Sequence, residues 1–406
     1  MAFAIGLAAL PCDTLYAQSK SQADMINANL AACVNHNLPP PERIASCTLA
    51  IERGNLDKIT TAKVYVGRGV ALNAAEQRDD AIADFTHAIA LDPKNFNAYE
   101  NRASLNLAAS HFEQAIADMT VVIRAQPANG MAYYYRGLAY ERSSNAADAL
   151  NDFRSCMRLV PAFAPAAAAV GRLLKDSDPT AALAELSAAV QLDPKSPALS
   201  SRATLYLSLG RFEDARRDYD KIIENDAADD VAFANRGVAN EKLGDLNGAI
   251  RDYSRSIELK GTIAAYVNRG NVYEKLKQPQ QALADFNTAL GSDPKNFPAL
   301  VGKAGAEYDL NMRVASLDDF TRIIAANPKD AVAYLKRGNL HFDLRELAAA
   351  LSDYSDAVRL DPEQGSALYN KSLVEGRLGH NADALADRRR ALALDPSLAG
   401  EVEHSQ

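Results

Sequence analysis

Prolines recur along this chain at a nearly constant spacing, which constrains the fold more than any other feature. Successive prolines lie 33 or 34 residues apart in two runs, Pro93, Pro127, Pro161 and Pro194, then Pro294, Pro328, Pro362 and Pro396. A fixed period of this length is typical of helical repeat arrays, in which each unit is a pair of helices. Such arrays are usually binding surfaces, because each unit packs only on its neighbours and leaves a long face open.

Small residues occupy two fixed positions in each unit, when the closing proline is numbered position 32. Position 20 reads Ala81, Ala115, Ala149, Ala182, Ala215, Ala249, Ala282, Ser316, Ala350 and Ala384. Position 8 is likewise glycine, alanine or serine, as in Gly137 and Gly338, whereas position 24 carries large apolar residues such as Phe85 and Tyr253. Two antiparallel helices approach closely only where the side chains at their crossing are small. Proline at position 32 then stops one helix and fits the first turn of the next.

This combination of positions resembles the tetratricopeptide repeat (TPR) family. The resemblance implies an all-α fold, a right-handed superhelical solenoid of antiparallel helix pairs. We predict ten repeats over residues 62–398, a degenerate N-terminal cap repeat over residues 18–61 and a polar tail over residues 399–406. The last repeat has Arg388 at position 24, so we expect its outer face to meet water, as terminal repeats require.

The first residues resemble a bacterial secretory signal peptide. Residues 1–10 are mostly apolar, and Leu15-Tyr16-Ala17 before Gln18 resembles a signal peptidase site. We therefore predict a signal peptide over residues 1–17 and a periplasmic or secreted protein, cytoplasmic if the leader is not a signal peptide. The apolar stretch is too short to span a membrane, and no transmembrane segment is expected.

Cys33 and Cys47 lie in the cap segment, where residues 43–51 echo the second helix of a repeat and Cys47 takes position 24. Cys33 would lie on a shortened first helix. The arrangement is similar to the cysteine-paired N-terminal segment of exported bacterial TPR proteins, which implies a Cys33–Cys47 disulfide. The alternative is two buried free thiols in a reduced cytosol. Cys156, at the small position 27, is expected to be a buried thiol.

Two charged columns are the most regular polar feature. Position 7 is basic in nine repeats and position 23 is acidic in all ten, as in Arg136 and Asp152. A basic ladder could bind phosphate or nucleic acid, but the matched acidic column favours structural ion pairs. The formal net charge of −8 also argues against nucleic acid as a partner, since polyanion binding requires a basic surface.

Catalytic and metal-binding patterns are missing from the sequence. The six histidines form no His-x-x-x-His set, no Cys-x-x-Cys pair occurs, and no serine has a nucleophile-elbow context. Pairs such as Gly67-x-Gly69 lie at helix-packing positions, without the strand–turn–helix context of a phosphate loop. We therefore predict no enzyme activity, no metal and no cofactor.

The family resemblance implies that the first helices of the repeats line a concave groove through positions 2, 5, 9 and 12. We predict a protein-binding groove with aromatic anchors at both ends and acidic residues in the middle. Its candidate residues are Glu100, Tyr134, Glu141, Glu241, Asn271, Glu274, Tyr308, Asn339, Phe342 and Tyr369. Aromatic side chains in concave pockets are common binding hot spots. Several of these side chains could instead pack against neighbouring helices.

The predicted function is that of a non-enzymatic scaffold or adaptor that binds an extended or helical segment of a partner protein. Some TPR adaptors clamp a C-terminal carboxylate, but the lysine they use at position 5 is missing here, so an apolar or basic segment fits better. Two alternatives stay open: a self-associating structural protein of the envelope, and a recruitment subunit of a separate enzyme.

Overall fold

The computed structural model describes residues 12–398, with side chains from residue 23. The predicted polar tail lies outside the described residues, as does most of the predicted signal peptide. Residues 12–398 contain helices and no strand, which confirms the all-α fold class. The helices are α1 (Cys12–Val34), α2 (Pro40–Arg53), α3 (Lys58–Ala74), α4 (Arg78–Leu91), α5 (Phe96–Ala108), α6 (Phe112–Ala125), α7 (Gly130–Arg142), α8 (Ala146–Leu159), α9 (Ala164–Leu174), α10 (Pro179–Leu192), α11 (Ala198–Ser208), α12 (Phe212–Asn225), α13 (Asp230–Lys242), α14 (Leu246–Leu259), α15 (Ile263–Lys275), α16 (Pro279–Ser292), α17 (Phe297–Asp309), α18 (Arg313–Ala326), α19 (Ala331–Asp343), α20 (Leu347–Leu360), α21 (Gly365–Leu378) and α22 (Asn381–Leu394).

The described residues form two compact units, which divide between Ser201 and Arg202. In the first unit α1 packs on α2, and the pairs α3–α4, α5–α6, α7–α8 and α9–α10 follow. In the second unit the pairs are α13–α14, α15–α16, α17–α18, α19–α20 and α21–α22. Within each unit the second helix of one pair packs on the first helix of the next. Each unit is therefore a solenoid of helix pairs; the exact boundaries of the cap and the ten repeats stay a prediction.

Most first helices begin at an asparagine or aspartate that caps the helix. The side chains of Asn129, Asn296 and Asp330 each accept a hydrogen bond from the backbone N–H three residues later. This bond satisfies one of the amide groups that a helix start leaves unpaired. The periodic prolines lie in the turns before these caps; Pro127, for example, lies between the end of α6 and the start of α7 at Gly130. They therefore follow the end of the second helix, as predicted. The prediction that they also fit the first turn of the next helix is wrong, because that helix begins after them.

The glycines at position 8 lie directly against the aromatic rings at position 24. A Cβ added to Gly137 would lie 2.8 Å from a ring carbon of Phe153, and one added to Gly338 would lie 2.8 Å from Tyr354. Both rings are almost completely buried. The small residue thus lets the ring lie flat against the first helix, and this contact fixes the spacing of the two helices in a pair.

At the front of the first unit, Cys33 and Cys47 are joined by a disulfide, and both are fully buried. A Cβ on Gly67 of α3 would lie 3.0 Å from Sγ of Cys33, so the bridge packs directly on the next helix. The prediction that Cys33 lies on a shortened helix is wrong, because α1 has 23 residues.

Cys156 is a free, buried thiol, and burial raises its pKa to about 11.

The last helix, α22, buries few of its side chains. The guanidinium of Arg388, at position 24, lies 5.6 Å from the centre of the Tyr369 ring, and Arg390 donates a hydrogen bond to the Pro362 carbonyl oxygen. A partly exposed charged side chain thus takes the place of the large apolar side chain at position 24 of the other repeats.

Candidate partner-binding groove

First helices of successive pairs contact one another directly. These contacts join α1 to α3, α3 to α5 and α5 to α7 in the first unit, and α13 to α15, α15 to α17 and α19 to α21 in the second. The first helices therefore share one side of each unit. The predicted groove residues, at positions 5, 9 and 12, all belong to these first helices, so this side of each unit is the candidate groove.

The charged columns are internal to the repeats. In Arg68, Arg102, Arg136, Arg202, Arg236, Arg269 and Arg337, Nε and Nη2 both donate to the carboxylate sixteen residues later. For Arg136 and Asp152 the shorter distance is 2.7 Å, and the Asp152 side chain is 7% exposed. Two parallel charge-assisted hydrogen bonds hold the helices of a pair in register. These arginines therefore have a structural role within the repeats, because each is held by a carboxylate of its own helix pair.

The same arginines also reach back to the preceding repeat, which was not predicted from the sequence. Nη1 of Arg136 donates to Oγ1 of Thr120 at 3.1 Å, and Nη1 of Arg102 donates to Oγ1 of Thr86 at 3.0 Å. The sequence signal was a recurrent hydroxyl at position 25 of the repeat, the residue after the aromatic position. Arg102 and Arg136 therefore each link their own repeat to the one before it.

Where lysine replaces arginine, a second carboxylate takes part in the ion pair. Nζ of Lys303 lies 3.0 Å from Oε1 of Glu307 and also contacts Asp319, and Lys371 contacts Glu375 and Asp387 in the same way. An ammonium is a compact charge without the flat fork of a guanidinium, so it binds two separate carboxylates. Burial raises the pKa of Glu307, and Lys303 lowers it in part.

In the first unit the predicted groove residues already have partners within the chain. Oε1 of Glu100 accepts a hydrogen bond from Asn129 at 2.7 Å, and Glu141 pairs with Arg172 at 3.0 Å. Tyr134 is half-buried and packs edge-on against Phe163, with ring centres 4.9 Å apart. These side chains therefore join neighbouring repeats as well as facing the groove.

In the second unit Glu241 is also neutralised from within. Its Oε1 lies 2.6 Å from Nζ of Lys275, and its Oε2 accepts a hydrogen bond from the Tyr253 hydroxyl at 3.1 Å. The predicted acidic character of the groove is therefore smaller than the residue types suggest, because Glu141 and Glu241 each carry a basic partner from the next repeat.

Glu274 differs from these glutamates. It belongs to no ion pair in the part of the chain that the structure describes, and its Oε1 atom is buried without a hydrogen-bond partner. Burial raises the pKa of Glu274, the nearby Asp309 carboxylate raises it further, and Lys277 opposes this change. Asn271, one turn earlier on the same helix, is exposed.

Three of the predicted residues line one cleft of about 110 Å³, namely Tyr308, Asn339 and Phe342. Oδ1 of Asn339 accepts hydrogen bonds of 2.9 Å from the Tyr354 hydroxyl and from Nδ2 of Asn370. The Asn339 side chain also hydrogen-bonds Tyr308. The structure therefore brings these groove residues together around a fixed amide.

Cations from the following repeats lie over both aromatic rings of this cleft. Nζ of Lys336 lies 5.0 Å from the centre of the Tyr308 ring, and the Arg377 guanidinium lies 4.3 Å from that of Phe342. Tyr369, by contrast, is 3% exposed and packs in the core with Leu368. Its prediction as an open groove residue is wrong, because its ring is enclosed by the last helix pair.

Among residues 23–398, no group of three or more His, Cys, Asp or Glu side chains has the arrangement of a metal site. A separate search of the described helices found none that is both long and apolar enough to cross a membrane.

Comparison with protein families gives four matches. Residues 173–235, 263–296 and 335–399 match models described as Tetratricopeptide repeat. Residues 68–162 match the model described as Bacterial transcriptional activator domain.

Three curated relatives match parts of the chain. Tetratricopeptide repeat protein 6 of Homo sapiens is 33% identical over 29% of this chain and 22% of its own length. DnaJ homolog subfamily C member 3 of Gallus gallus is 31% identical over 22% of this chain and 18% of its own. Hsp70-Hsp90 organizing protein 2 of Arabidopsis thaliana is 30% identical over 23% of this chain and 16% of its own. The chain thus spans about a fifth of the length of each relative.

Similar solved structures include YrrB, described as a TPR protein with an unusual peptide-binding site. It is 23% identical and covers 44% of this chain and 92% of its own, with a TM-score of 0.40. MamA is 22% identical and covers 40% of this chain and 96% of its own, with a TM-score of 0.38. A tetratricopeptide repeat protein from Parabacteroides merdae is 17% identical and covers 65% of this chain and 98% of its own, with a TM-score of 0.45.

Proposed function

We propose that this chain, which belongs to the tetratricopeptide repeat family, is a non-enzymatic scaffold that binds a segment of a partner protein in the groove along its first helices. The cleft formed by Tyr308, Asn339 and Phe342 carries this proposal. It combines two aromatic rings with hydrogen-bonding groups held in place by Tyr354 and Asn370. Rigid aromatic groups beside oriented polar groups are typical of peptide-binding pockets.

The bound segment would lie across α17, α19 and α21 of the second unit. Arg377 and Lys336 cover the two rings in the free protein, and both are long, flexible side chains that a ligand can displace. The remaining N–H of the Asn339 amide can donate to a backbone carbonyl of the segment. Recognition would thus combine apolar contact with hydrogen bonds to the peptide backbone.

Pull-down experiments from bacterial envelope extract would test this function with three versions of the full chain. One is the parent and the second carries Tyr308→Ala and Phe342→Ala; the third, Val314→Ala, which changes an exposed side chain on α18, is the matched control. A partner retained by the parent and the control but lost by the folded double variant supports the proposal. Equal retention by all three would contradict it.

Export to the periplasm or the exterior is a second part of the proposal, supported by the signal-like residues 1–17 and the buried Cys33–Cys47 disulfide. Expression in a bacterial host followed by fractionation and N-terminal sequencing tests it. A periplasmic product that begins at Gln18 supports export, whereas an uncleaved product in the cytoplasm contradicts it.

A further inference from the structure

Glu274 differs from Glu141 and Glu241 in that it forms no ion pair within the part of the chain that the structure describes. Glu141 pairs with Arg172 and Glu241 pairs with Lys275, in each case a basic residue 31 or 34 positions later. The residue 34 positions after Glu274 is Tyr308, and position 13 of the repeat, which holds Lys275 beside Glu241, holds Asp309 beside Glu274. The chain therefore places a second carboxylate where the repeat pattern would supply a cation.

The surroundings of Glu274 do not compensate the negative charge of the two carboxylates. Its Oε1 atom has no contact with solvent and no hydrogen-bond partner. Among the described residues, Lys277 is the cation that lowers its pKa, and this effect is smaller than those of burial and of Asp309, which raise it. Nearby Lys275 is engaged by Glu241, and Lys336 lies over the Tyr308 ring. A buried carboxylate oxygen without a partner is costly, and the protein itself supplies none.

We propose that the part of the groove formed by α15 and α17 binds a lysine or arginine side chain of the partner segment, with Glu274 as its counter-ion and Asp309 beside it. This inference rests on the proposed function and specifies the chemistry of the segment. Asn271 lies one helical turn before Glu274 and so on the same face, where its exposed amide can hydrogen-bond the segment backbone. The Tyr308 ring offers an apolar wall for the stem of the basic side chain.

The placement also sets the order of contacts along the segment. A basic residue of the segment would lie over Glu274, between α15 and α17. Apolar residues would then follow over Tyr308 of α17 and Phe342 of α19. Arg377 at the far end disfavours a second basic residue there, since like charges repel.

Selection from a display library of random twelve-residue peptides on the immobilised full chain tests this inference. The same selection is run on Glu274→Gln and on Glu224→Gln, an exposed glutamate of α12 that provides the same change in charge outside the groove. We expect peptides retained by the parent and by Glu224→Gln to be enriched in Lys and Arg at one position. Glu274→Gln should bind such peptides about tenfold more weakly and lose the enrichment. Since Glu274 is unpaired in the free protein, Glu274→Gln should melt no lower than the parent, so the loss cannot be attributed to unfolding.

The outcomes separate this inference from the proposed function. Peptides without basic enrichment, or with the same enrichment on Glu274→Gln, overturn the inference. If those peptides are nevertheless lost by the Tyr308→Ala and Phe342→Ala variant, groove binding stands and only its proposed charge preference fails. If no peptide is retained, or if the Tyr308→Ala and Phe342→Ala variant retains the same peptides as the parent, both the inference and the proposed function fail.

Discussion

The Tyr354 hydroxyl donates a hydrogen bond of 2.9 Å to Oδ1 of Asn339. The Tyr354 ring is buried between the two helices of its repeat, while Asn339 faces the groove. A core side chain thus fixes the orientation of a groove side chain. The same relationship joins Tyr253 to Glu241, so tyrosine rather than phenylalanine at position 24 couples the packing of a repeat to its binding surface.

Tyr354→Phe should keep the core packing but remove the donor to Asn339. We expect a loss of about 1 kcal/mol in unfolding free energy, since one buried hydrogen bond is lost. Binding of a groove ligand should weaken as well, because the Asn339 amide is then held by Asn370 alone on its acceptor side. Urea denaturation and ligand titration measure the two effects. Tyr334→Phe, which changes a hydroxyl without a hydrogen bond among the described residues, is the control; equal effects of both variants would contradict the coupling.

Gly338→Ala should destabilise the second unit, because the new Cβ would lie 2.8 Å from the Tyr354 ring. Overpacking of this kind costs about 1–3 kcal/mol. Gly305→Ala is the matched control, since no atom lies within 4 Å of its added Cβ and alanine favours the helix by up to about 1 kcal/mol. Thermal melting should therefore move in opposite directions for the two variants. A shift of the same sign in both would contradict the close-contact explanation.

Asp152→Ala should be strongly destabilising, by about 3 kcal/mol, because it leaves the Arg136 guanidinium without its carboxylate. Glu258→Ala, which removes one side of an exposed pair with Arg255, should cost less than about 1 kcal/mol. Urea midpoints at low and high salt distinguish the pairs, since added salt screens only the exposed one strongly. Similar losses of unfolding free energy in both variants would argue against a structural role for the Arg136–Asp152 ion pair.

Replacing Cys33 and Cys47 together with alanine should destabilise the front of the first unit by about 3 kcal/mol, the effect expected for closing a loop of this length. Hydrogen exchange should become faster in α1 and α2, with little change in α7 and α8, because repeats interact only with their neighbours. The unmodified chain in reductant should approach the same exchange rates only after prolonged incubation, since both sulfurs are buried. Unchanged protection in α2 would show that the bridge does not stabilise this end.

Glu274→Gln should stabilise the free protein at neutral pH, and the gain should vanish in acid. Burial and Asp309 raise the pKa of Glu274 in the folded state, so the folded protein binds this proton more tightly than the unfolded chain. The ionised group therefore costs stability above the folded pKa, and the cost disappears as the pH falls through it. Urea midpoints across a pH series measure the difference. Glu224→Gln, an exposed substitution with the same change in charge, is the control, and a constant difference for Glu274→Gln would contradict the assignment.

The sequence by itself determined the all-α repeat architecture and the ion-pair columns. This was possible because each repeat makes nearly the same contacts, so that Gly338 against Tyr354 and Arg136 against Asp152 appear as columns with a fixed spacing. The sequence also identified the faces of the first helices from which groove residues such as Asn339 project.

Only the tertiary structure decided which of those groove residues are available to a ligand. Glu141 is neutralised by Arg172, Tyr369 is enclosed by the last helix pair, and Glu274 forms no ion pair with any described residue. These differences arise between neighbouring repeats, where individual side chains meet across helices and compete for partners. A periodic pattern gives the position of each side chain, but the partner that it finds depends on the distances and burial that packing creates.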